Sequence, residues 1–290
     1  MTAHRNPPLP KGKPRSRKKA QTNPPKRRKK KRKTLIALTA IILLIGSYLY
    51  LCQQTSKYQV SDYRKKLPDG YTIHGLDISH HQGDINWEVL TQSQENQPPI
   101  RFIFIKATEG GDLLDTRFHT NFTQAKQKGF TCGAYHFYNP QTSPGRQAAF
   151  FIQNVTLSTG DLPPVLDIEK RGNKPLSTFQ HEILTWLQKV EKHYQTKPII
   201  YTSYRFKESY LNDSIFNTYP FWIAHYYVEQ VSYPHLWHFW QHTDNATIPG
   251  VQSLVDLNVF NGTESQFQEM TIQKERPRLK RTNKNSKQKK

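Results

Sequence analysis

The sequence predicts an α/β fold in which parallel β/α units come first and a few strands joined by hairpin-like turns complete the domain, with one transmembrane helix ahead of it. From about Tyr71 onward, short apolar or aromatic runs alternate with amphipathic stretches, which is the pattern of β/α units. Before them, residues 35–51 form a run of 17 residues without a charge. As a helix this run covers about 26 Å, the short end of the range that spans a membrane. The length of 290 residues allows one large barrel or two ordinary domains.

The N-terminal region predicts a single-pass membrane protein. Residues 1–33 contain 15 Lys and Arg and no acid, and they lie directly before the predicted transmembrane helix at 34–52. Because basic residues are retained on the cytoplasmic side, we expect 1–33 to be a cytoplasmic tail and the domain beyond the helix to be periplasmic or extracellular at the cell membrane. The polar stretch 53–70 resembles a juxtamembrane linker. A cleaved signal peptide, or a lipoprotein signal ending at Cys52, remains an alternative interpretation.

The net charge of +20 lies in the two ends of the chain. Residues 271–290 contain nine basic residues and one Glu, and without both ends the stretch 34–270 has 18 basic and 21 acidic residues. A domain with this slightly acidic balance lacks the basic surface of a nucleic-acid-binding protein, so we expect no nucleic-acid partner. We expect residues 265–290 to form a basic disordered tail. Cys52 and Cys132 are the only cysteines, which indicates neither a disulfide framework nor a cysteine metal site.

The elements of the domain can be located in order along 71–264. The longest helix is predicted at 177–195, where Ser177 and Gln180 match a capping box and apolar residues recur at helical spacing. The connections between the last three strands are too short for a long helix, so a perfect eightfold barrel does not fit. The other predicted helices are 116–128 and 145–157, and the predicted strands are 73–78, 102–107, 132–138, 165–169, 199–203, 221–225, 238–242 and 254–260.

The strongest chemical signal is PVLDIE, in which Asp167 and Glu169 stand two residues apart at the end of an apolar strand. Alternation in a strand places both side chains on one face, with Cα atoms about 6.6 Å apart. Two carboxylates that share a partly desolvated site cannot both ionise easily, so one pKa rises and that group can stay protonated as a general acid. Cleavage of a glycosidic bond uses this combination of an acid and a second carboxylate.

Two further acids belong to the same predicted rim. GLDISHHQGDINW places Asp77 at the tip of the first strand, and SLVDLNVF places Asp256 on the last. Catalytic groups of β/α barrels collect at the carboxyl ends of the strands, so four carboxylates from three strands predict one site. Taken singly, Asp77 is also compatible with bonding to the following loop, and Asp256 with starting a turn.

Eight motifs occur together in the order and spacing of a known family, namely GLDISHHQG, FIFIKATEG, CGAYHFYNP, PVLDIE, IIYTSY, FWIAHY, WQHTD and VDLNVF. Over residues 73–262 the chain resembles the glycoside hydrolase family 25 lysozymes. The resemblance implies an irregular, TIM-like β/α barrel with incomplete late helices. It also implies a muramidase that cleaves the β-1,4 bond between N-acetylmuramic acid and N-acetylglucosamine with retention. Glu169 is then the general acid, and Asp167 is the nucleophile or the stabiliser of an oxazolinium, with Asp77 and Asp256 as supporting acids.

The resemblance favours aromatic residues of the rim as substrate-binding side chains. These are Tyr135, Tyr138, Tyr201 and Trp222, which are equally compatible with a place in the core. Adjacent side chains on extended backbone point to opposite faces, so we expect His80 and His81 not to share a metal ion. We expect no metal and no cofactor.

The expected partners are the glycan strands of peptidoglycan and, through the N-terminal helix, the membrane; the chain is expected to be a monomer. A second hypothesis is that the same barrel is a catalytically silent glycan-binding scaffold. Loss of one of the four acids would indicate the scaffold, and all four are present.

Overall fold

The computed structural model describes residues 33, 35–51, 66–93, 100–232 and 236–273. The chain divides into two compact units, Met1–Gln54 and Thr55–Lys290. In the first unit residues 35–51 are helical, and their large apolar side chains are exposed. No helix in the described ranges is both long enough and apolar enough to cross a membrane. Most of the predicted cytoplasmic tail, part of the predicted linker and the end of the C-terminal tail lie outside the described residues, at 1–32, 52–65 and 274–290.

The second unit alternates strands and helices along its described residues. The strands are β1 (His74–Ile78), β2 (Ile100–Glu109), β3 (Leu113–Leu114), β4 (Thr131–Phe137), β5 (Val165–Asp167), β6 (Ile199–Ser203), β7 (Phe221–Ala224), β8 (Phe239–Ala246) and β9 (Val255–Phe260). The helices are α1 (Trp87–Gln92), α2 (Phe118–Gln127), α3 (Pro144–Asn154), α4 (Leu176–Tyr194), α5 (Tyr204–Tyr210) and α6 (Glu264–Met270). Two 3₁₀ turns are formed by His80–Gln82 and Ser214–Thr218.

Eight of these strands close into a barrel. The strand order is β1-β9-β8-β7-β6-β5-β4-β2-β3, and β1 also pairs with β2, so that only the short β3 lies outside the closed ring. Neighbouring strands are parallel from β1 through β2, β4, β5, β6 and β7 to β8. Strand β9 is antiparallel to both β8 and β1. The predicted irregular β/α barrel is therefore confirmed.

The late part of the barrel agrees only in part with the predicted hairpin-like closure. No helix is seen between β7 and β8 or between β8 and β9 among the described residues, as expected from the short connections. The β8–β9 pair is antiparallel and fits a hairpin-like connection. The β7–β8 pair is parallel, so the chain crosses from the end of β7 back to the start of β8 without a helix. The prediction is thus wrong for that connection.

Two helix boundaries also differ from the prediction. Helix α4 begins at Leu176 after the N-cap residue Pro175, which forms no side-chain cap bond. Ser177 therefore lies inside the first turn, and the predicted capping box is wrong. Residues assigned to the disordered tail from 265 onward include α6, which begins at a capping box of Thr263 and Gln266. This helix is ordered because Phe267 is fully buried against the barrel.

Large aromatic side chains fill the interior of the barrel away from the carboxyl ends of its parallel strands. Phe102 and Phe104 point inward along β2, and each packs with its ring centroid 5.2 Å from that of Phe239. Trp222 stacks on Phe104 at 4.3 Å. Glycine is required at position 75, because a Cβ atom there would lie 2.3 Å from the Phe102 ring. Since these rings occupy that part of the interior, the inward polar residues are confined to the carboxyl ends of the strands.

Candidate active site

Polar side chains collect inside the barrel where its parallel strands end. Asp77 is the next inward position after Gly75 on β1, Lys106 is the next after Phe104 on β2, and both side chains are largely buried. Because β9 runs in the opposite direction, its early residue Asp256 is the register partner of Asp77. The structure therefore brings acids from the first and last strands together, although 179 residues separate them in sequence.

Asp167 and Glu169 lie at the same rim, but the local backbone differs from the prediction. Strand β5 ends at Asp167, so the expected strand 165–169 is too long and Glu169 follows its end. The backbone nitrogen of Ile168 still donates to the carbonyl oxygen of Tyr201 at 2.9 Å, and the Ile168 side chain is buried between the sheet and the helices. The acids on either side of Ile168 face away from that layer. Asp167 is 6% exposed, whereas Glu169 is exposed.

Burial raises the pKa values of both carboxyls. Burial raises the pKa of Asp167 well above its ordinary value, and the nearby charge of Glu169 raises it further. Glu169 is exposed at its surface, but neighbouring protein atoms remove part of the water around its carboxyl group, and this partial desolvation raises its pKa. Lys106 is a cation that lowers the pKa of both acids. The Oδ1 atom of Asp167 is buried and has no hydrogen-bond partner among the described residues.

Lys106 itself is held by neighbours on the same side of the barrel. Its Nζ lies 2.7 Å from Glu109 Oε2 and 4.8 Å from the centre of the Phe137 ring. A lysine in an otherwise apolar inward strand was visible in the motif FIFIKATEG, but its neighbours come from the sheet pairing. Sequence reasoning therefore missed Lys106 as a member of the site.

Gln241 connects the acids of β1 and β9 with two tyrosines. Its Nε2 donates to Asp77 Oδ2 at 2.8 Å and to Asp256 Oδ2 at 3.0 Å. Its Oε1 accepts from the hydroxyls of Tyr201 at 2.7 Å and Tyr226 at 2.5 Å. Each hydrogen-bonding group of the amide is thus engaged within the site. Gln241 and Tyr226 were not predicted, although WQHTD contains the former and FWIAHY the latter.

Asn258 is the second amide of this network. Its Nδ2 donates to Asp77 Oδ2 at 2.7 Å, and its Oδ1 accepts from Trp222 Nε1 at 2.8 Å. Trp222 is almost fully buried beneath the site, so it supports Asn258 from below. Asn258 was also missed, although alternation along VDLNVF places it on the same face as Asp256.

Three of the four predicted aromatic residues lie together, and one lies apart. Tyr135 packs against the same inner cluster as Tyr201 and Trp222, and burial and the charges of Asp77 and Asp167 raise its pKa well above the ordinary value. Tyr201 packs edge-on against Trp222 with ring centroids 4.4 Å apart. Tyr138 instead belongs to the layer between sheet and helices, where its hydroxyl donates to Glu182 at 2.7 Å. Tyr138 does not pack with the other three, although it lines one of the two cavities that border Glu169.

The two histidines after β1 differ from the prediction as well. They belong to a 3₁₀ turn and not to extended backbone, and their ring centroids are 4.0 Å apart. The expectation that His80 and His81 point to opposite faces is therefore wrong. Nδ1 of His80 lies 2.7 Å from Asp115 Oδ2. In the described part of the chain, no three His, Cys, Asp or Glu side chains are grouped to hold a metal ion.

Two cavities at the rim share Glu169 in their linings, and we refer to them together as the cleft. One has a volume of about 810 Å³ and includes Tyr201 and Tyr226 in its lining. The other has a volume of about 680 Å³ and includes Phe137 and Arg171. Glu169 lines both cavities, so its carboxyl group lies between the two halves of the cleft.

A closed β/α barrel whose strand ends present an exposed and a buried carboxyl group in a cleft is the architecture of a glycoside hydrolase. The model of the glycosyl hydrolases family 25 matches residues 76–251. The chain belongs to this family.

Relatives and solved structures agree with this assignment. The chain is 40% identical over 210 residues to the uncharacterized protein YegX of Escherichia coli strain K12, covering 72% of this chain and 77% of that protein. It is 35% identical over 212 residues to Lysozyme M1 of Streptomyces globisporus, covering 67% and 70% of the two chains. The solved structure of a family 25 glycosyl hydrolase from Bacillus anthracis superposes with a TM-score of 0.63 at 32% identity, covering 69% of this chain and 94% of that one.

Proposed function

We propose that this chain is a muramidase that hydrolyses the β-1,4 bond between N-acetylmuramic acid and N-acetylglucosamine in peptidoglycan, with retention at the anomeric carbon. The observation that carries the proposal is the pair formed by exposed Glu169 in the middle of the cleft and buried Asp167 beside it. The relative named Lysozyme M1 supports the same substrate class.

Glu169 acts as the general acid in this proposal. It is the acid that lines both cavities, so a glycosidic oxygen that crosses the middle of the cleft passes its carboxyl group. Its raised pKa favours the protonated form that can donate to the leaving oxygen. After the leaving group departs, the same carboxylate accepts a proton from the attacking water.

Asp167 stabilises the positive centre that develops at the sugar ring. Its buried Oδ1 has no partner among the described residues, and a substrate acetamido N–H is a group that can donate to it. This supports substrate assistance, in which the acetamido oxygen closes on the anomeric carbon to form an oxazolinium and Asp167 holds the amide. In the alternative, Asp167 attacks the anomeric carbon directly; both routes give retention.

The test is digestion of purified peptidoglycan by the full chain, followed by identification of the new reducing-end sugar and of its initial anomer. A muramidase releases N-acetylmuramic acid at the reducing end, first as the β-anomer. Release of N-acetylglucosamine at that end would refute the bond assignment, and initial release of the α-anomer would refute retention. Binding of glycan strands without any cleavage would favour the catalytically silent scaffold.

A thiazoline mimic of the cyclised acetamido group distinguishes the two roles of Asp167. Competitive inhibition of the wild-type chain, with much weaker inhibition of Asp167→Asn, is expected for substrate assistance. A covalent glycosyl adduct on Asp167, trapped in Glu169→Gln with an activated substrate, would instead establish the direct nucleophile.

We also propose that residues 34–52 anchor the chain in the cell membrane, with residues 1–33 in the cytoplasm and the barrel periplasmic or extracellular. The support is the uncharged apolar run at 35–51 and the 15 basic residues before it. Protease added to intact spheroplasts should digest the barrel and spare an N-terminal fragment. Protection of the barrel would contradict this topology, and a mature chain that begins near Cys52 would show a cleaved signal.

A further inference from the structure

We infer that the glycan-binding surface extends beyond the cleft around Glu169 and that Tyr227 is a stacking residue for a sugar distant from the scissile bond. The inference rests on the proposed function, because it describes how the same polymeric substrate is held. It adds a specificity-determining residue that the sequence motifs do not single out.

A third cavity continues the cleft along the wall of the barrel. It has a volume of about 1050 Å³ and lies between residues 66–71, the connection after β7, and strand β8. We call it the β8 groove. Tyr227 lines both this groove and the half of the cleft that contains Glu169 and Tyr226. A chain of sugars that leaves the reacting centre on that side therefore passes the ring of Tyr227 before it enters the groove.

The conformation of Tyr227 is unusual for a surface aromatic residue. Its side chain is 78% exposed, and its backbone has a φ of 59°, in the left-handed region that non-glycine residues rarely occupy. Such a conformation costs free energy and is found preferentially at ligand-binding positions. The hydroxyl donates to Asp244 Oδ1 at 3.2 Å, which orients the ring. Core packing does not explain an exposed ring held in this way, whereas stacking on a sugar face does.

The lining of the β8 groove fits the hydroxyl and acetamido groups of a sugar. Thr243, Asn245 and Asn261 contribute polar side chains, and Lys66 Nζ donates to Asn245 Oδ1 at 2.7 Å. His242 also lines the groove; it is 7% exposed, and its Nε2 has no hydrogen-bond partner among the described residues. Polar groups that are buried are nearly always paired, so this nitrogen marks the groove as a place for a further hydrogen-bonding partner.

The charges of the groove exclude two other kinds of ligand. Lys66, Asp69 and Glu229 line it together, so it presents neither the basic patch that a nucleic acid requires nor a continuous apolar surface. A glycan strand that continues from the catalytic cleft is the occupant that matches this mixture of polar, charged and aromatic groups.

The experiment measures binding with the full chain carrying Glu169→Gln, which permits titration without cleavage. Peptide-free glycan strands and a tetrasaccharide of the same repeat are titrated into this protein with and without Tyr227→Ala. Loss of one stacking ring should weaken strand binding roughly three- to tenfold. The tetrasaccharide should lose distinctly less, because it does not fill both the cleft and the groove.

Three further variants separate the ring from the backbone and the loop. Tyr227→Phe keeps the ring and should bind strands nearly as well as Tyr227. Tyr227→Gly relieves the positive φ, so it should raise the melting temperature relative to Tyr227→Ala while weakening strand binding to the same extent. Leu236→Ala removes an equally exposed apolar side chain ahead of β8 that does not line the groove, and it should change neither ligand.

Unchanged strand binding in Tyr227→Ala, or equal losses for the strand and the tetrasaccharide, would overturn the inference. Hydrolysis by the chain with Glu169 intact is measured in parallel. Strands that bind in a Tyr227-dependent manner but are not cut would refute the muramidase and leave this binding surface standing. If strands are cut at the same rate with and without Tyr227→Ala, the proposed binding surface is refuted and the muramidase proposal stands.

Discussion

Asp77 and Asp256 lie opposite each other in the antiparallel register of β1 and β9, and the Nε2 atom of Gln241 donates hydrogen bonds to both of their carboxyl groups. Burial raises the pKa of each acid. The charge of Asp77 raises the pKa of Asp256 further, whereas hydrogen bonds from Asn258 and Gln241 oppose the rise at Asp77. We therefore expect Asp256 to hold the proton of the pair and Asp77 to carry the charge.

The first prediction concerns the general acid. Glu169→Gln keeps the shape of the side chain but cannot protonate the leaving oxygen, so hydrolysis of peptidoglycan should fall by roughly 10²- to 10⁴-fold. Asp167→Asn should be similarly severe, because it removes the charge that stabilises the positive centre. The matched control is Glu88→Gln, a surface acid that pairs with Lys128 far from the rim and should leave activity unchanged. Near-normal activity of folded Glu169→Gln would disprove its role.

The second prediction uses the pH profile to test Lys106. Asp167 and Glu169 titrate as an interacting pair, so the apparent pKa values belong to the pair. The proposed roles assign the acidic limb, where activity declines as the pH falls, to protonation of Asp167 and the alkaline limb to loss of the Glu169 proton. Lys106 lowers the pKa of Asp167. Lys106→Met should therefore move the acidic limb to higher pH.

The control for this shift is Lys128→Met, which removes the lysine of an exposed ion pair. It should leave both limbs in place. If the acidic limb of Lys106→Met is unchanged or moves to lower pH, Lys106 does not control the ionisation of Asp167.

The fold and the meeting of the four acids at one rim could be predicted from the sequence, because both depend on local patterns along the chain. Apolar strand runs ending in Asp77 or Asp167 carry both the strand and its polar end within a few residues. The barrel orders these ends at one rim, so their convergence follows once β/α units are recognised. The predicted extension of β5 to Glu169 is wrong because side chains can keep alternating between the two faces after the hydrogen bonding between neighbouring strands has ended.

The supporting residues could not be predicted because their roles arise from pairing between distant strands. Gln241 becomes a link only when β8 stands beside β9 and β9 beside β1, and no local signal marks an inward glutamine. Tyr138 shows the reverse case. Its motif suggests an inward ring at the rim, but the residue follows the last residue of β4 and its ring packs in the layer between sheet and helices, where the hydroxyl donates to Glu182. Likewise, α6 is ordered by the burial of Phe267 in a segment that is otherwise polar.

The third prediction tests Gln241 as the link of the site. Gln241→Leu leaves Asp77 and Asp256 without a shared donor and two tyrosine hydroxyls without their acceptor. Unpaired buried polar groups should lower the free energy of unfolding by about 1–3 kcal/mol. Misplacement of Asp77 and Tyr201 should reduce activity by roughly tenfold or more.

Chemical denaturation and hydrolysis assays on the same preparation check both parts. Gln188→Leu changes an exposed glutamine on α4 and should affect neither measurement by much. Wild-type stability and activity in Gln241→Leu would show that the four hydrogen bonds of Gln241 are dispensable.

The last prediction follows from the raised pKa of Asp256 and concerns stability. In the folded chain this carboxyl holds its proton to higher pH than it does in the unfolded chain, so between those two pKa values the unfolded state binds fewer protons. The free energy of unfolding should therefore fall as pH rises above about 4, the ordinary carboxyl range. Asp256→Asn is neutral at every pH and keeps a donor towards Asp77, so it should remove this part of the decline and melt at a higher temperature than wild type at neutral pH. Activity should decrease by less than about tenfold, because Asp256 acts on Asp77 and not on the substrate bond.

The decisive measurement is the difference in melting temperature between variant and wild type from pH 4 to pH 8, which should widen with pH. Asp112→Asn, an exposed acid on the surface, should give a difference that stays near zero. A difference for Asp256→Asn that is equally flat would mean that the pair does not hold its proton in the folded state.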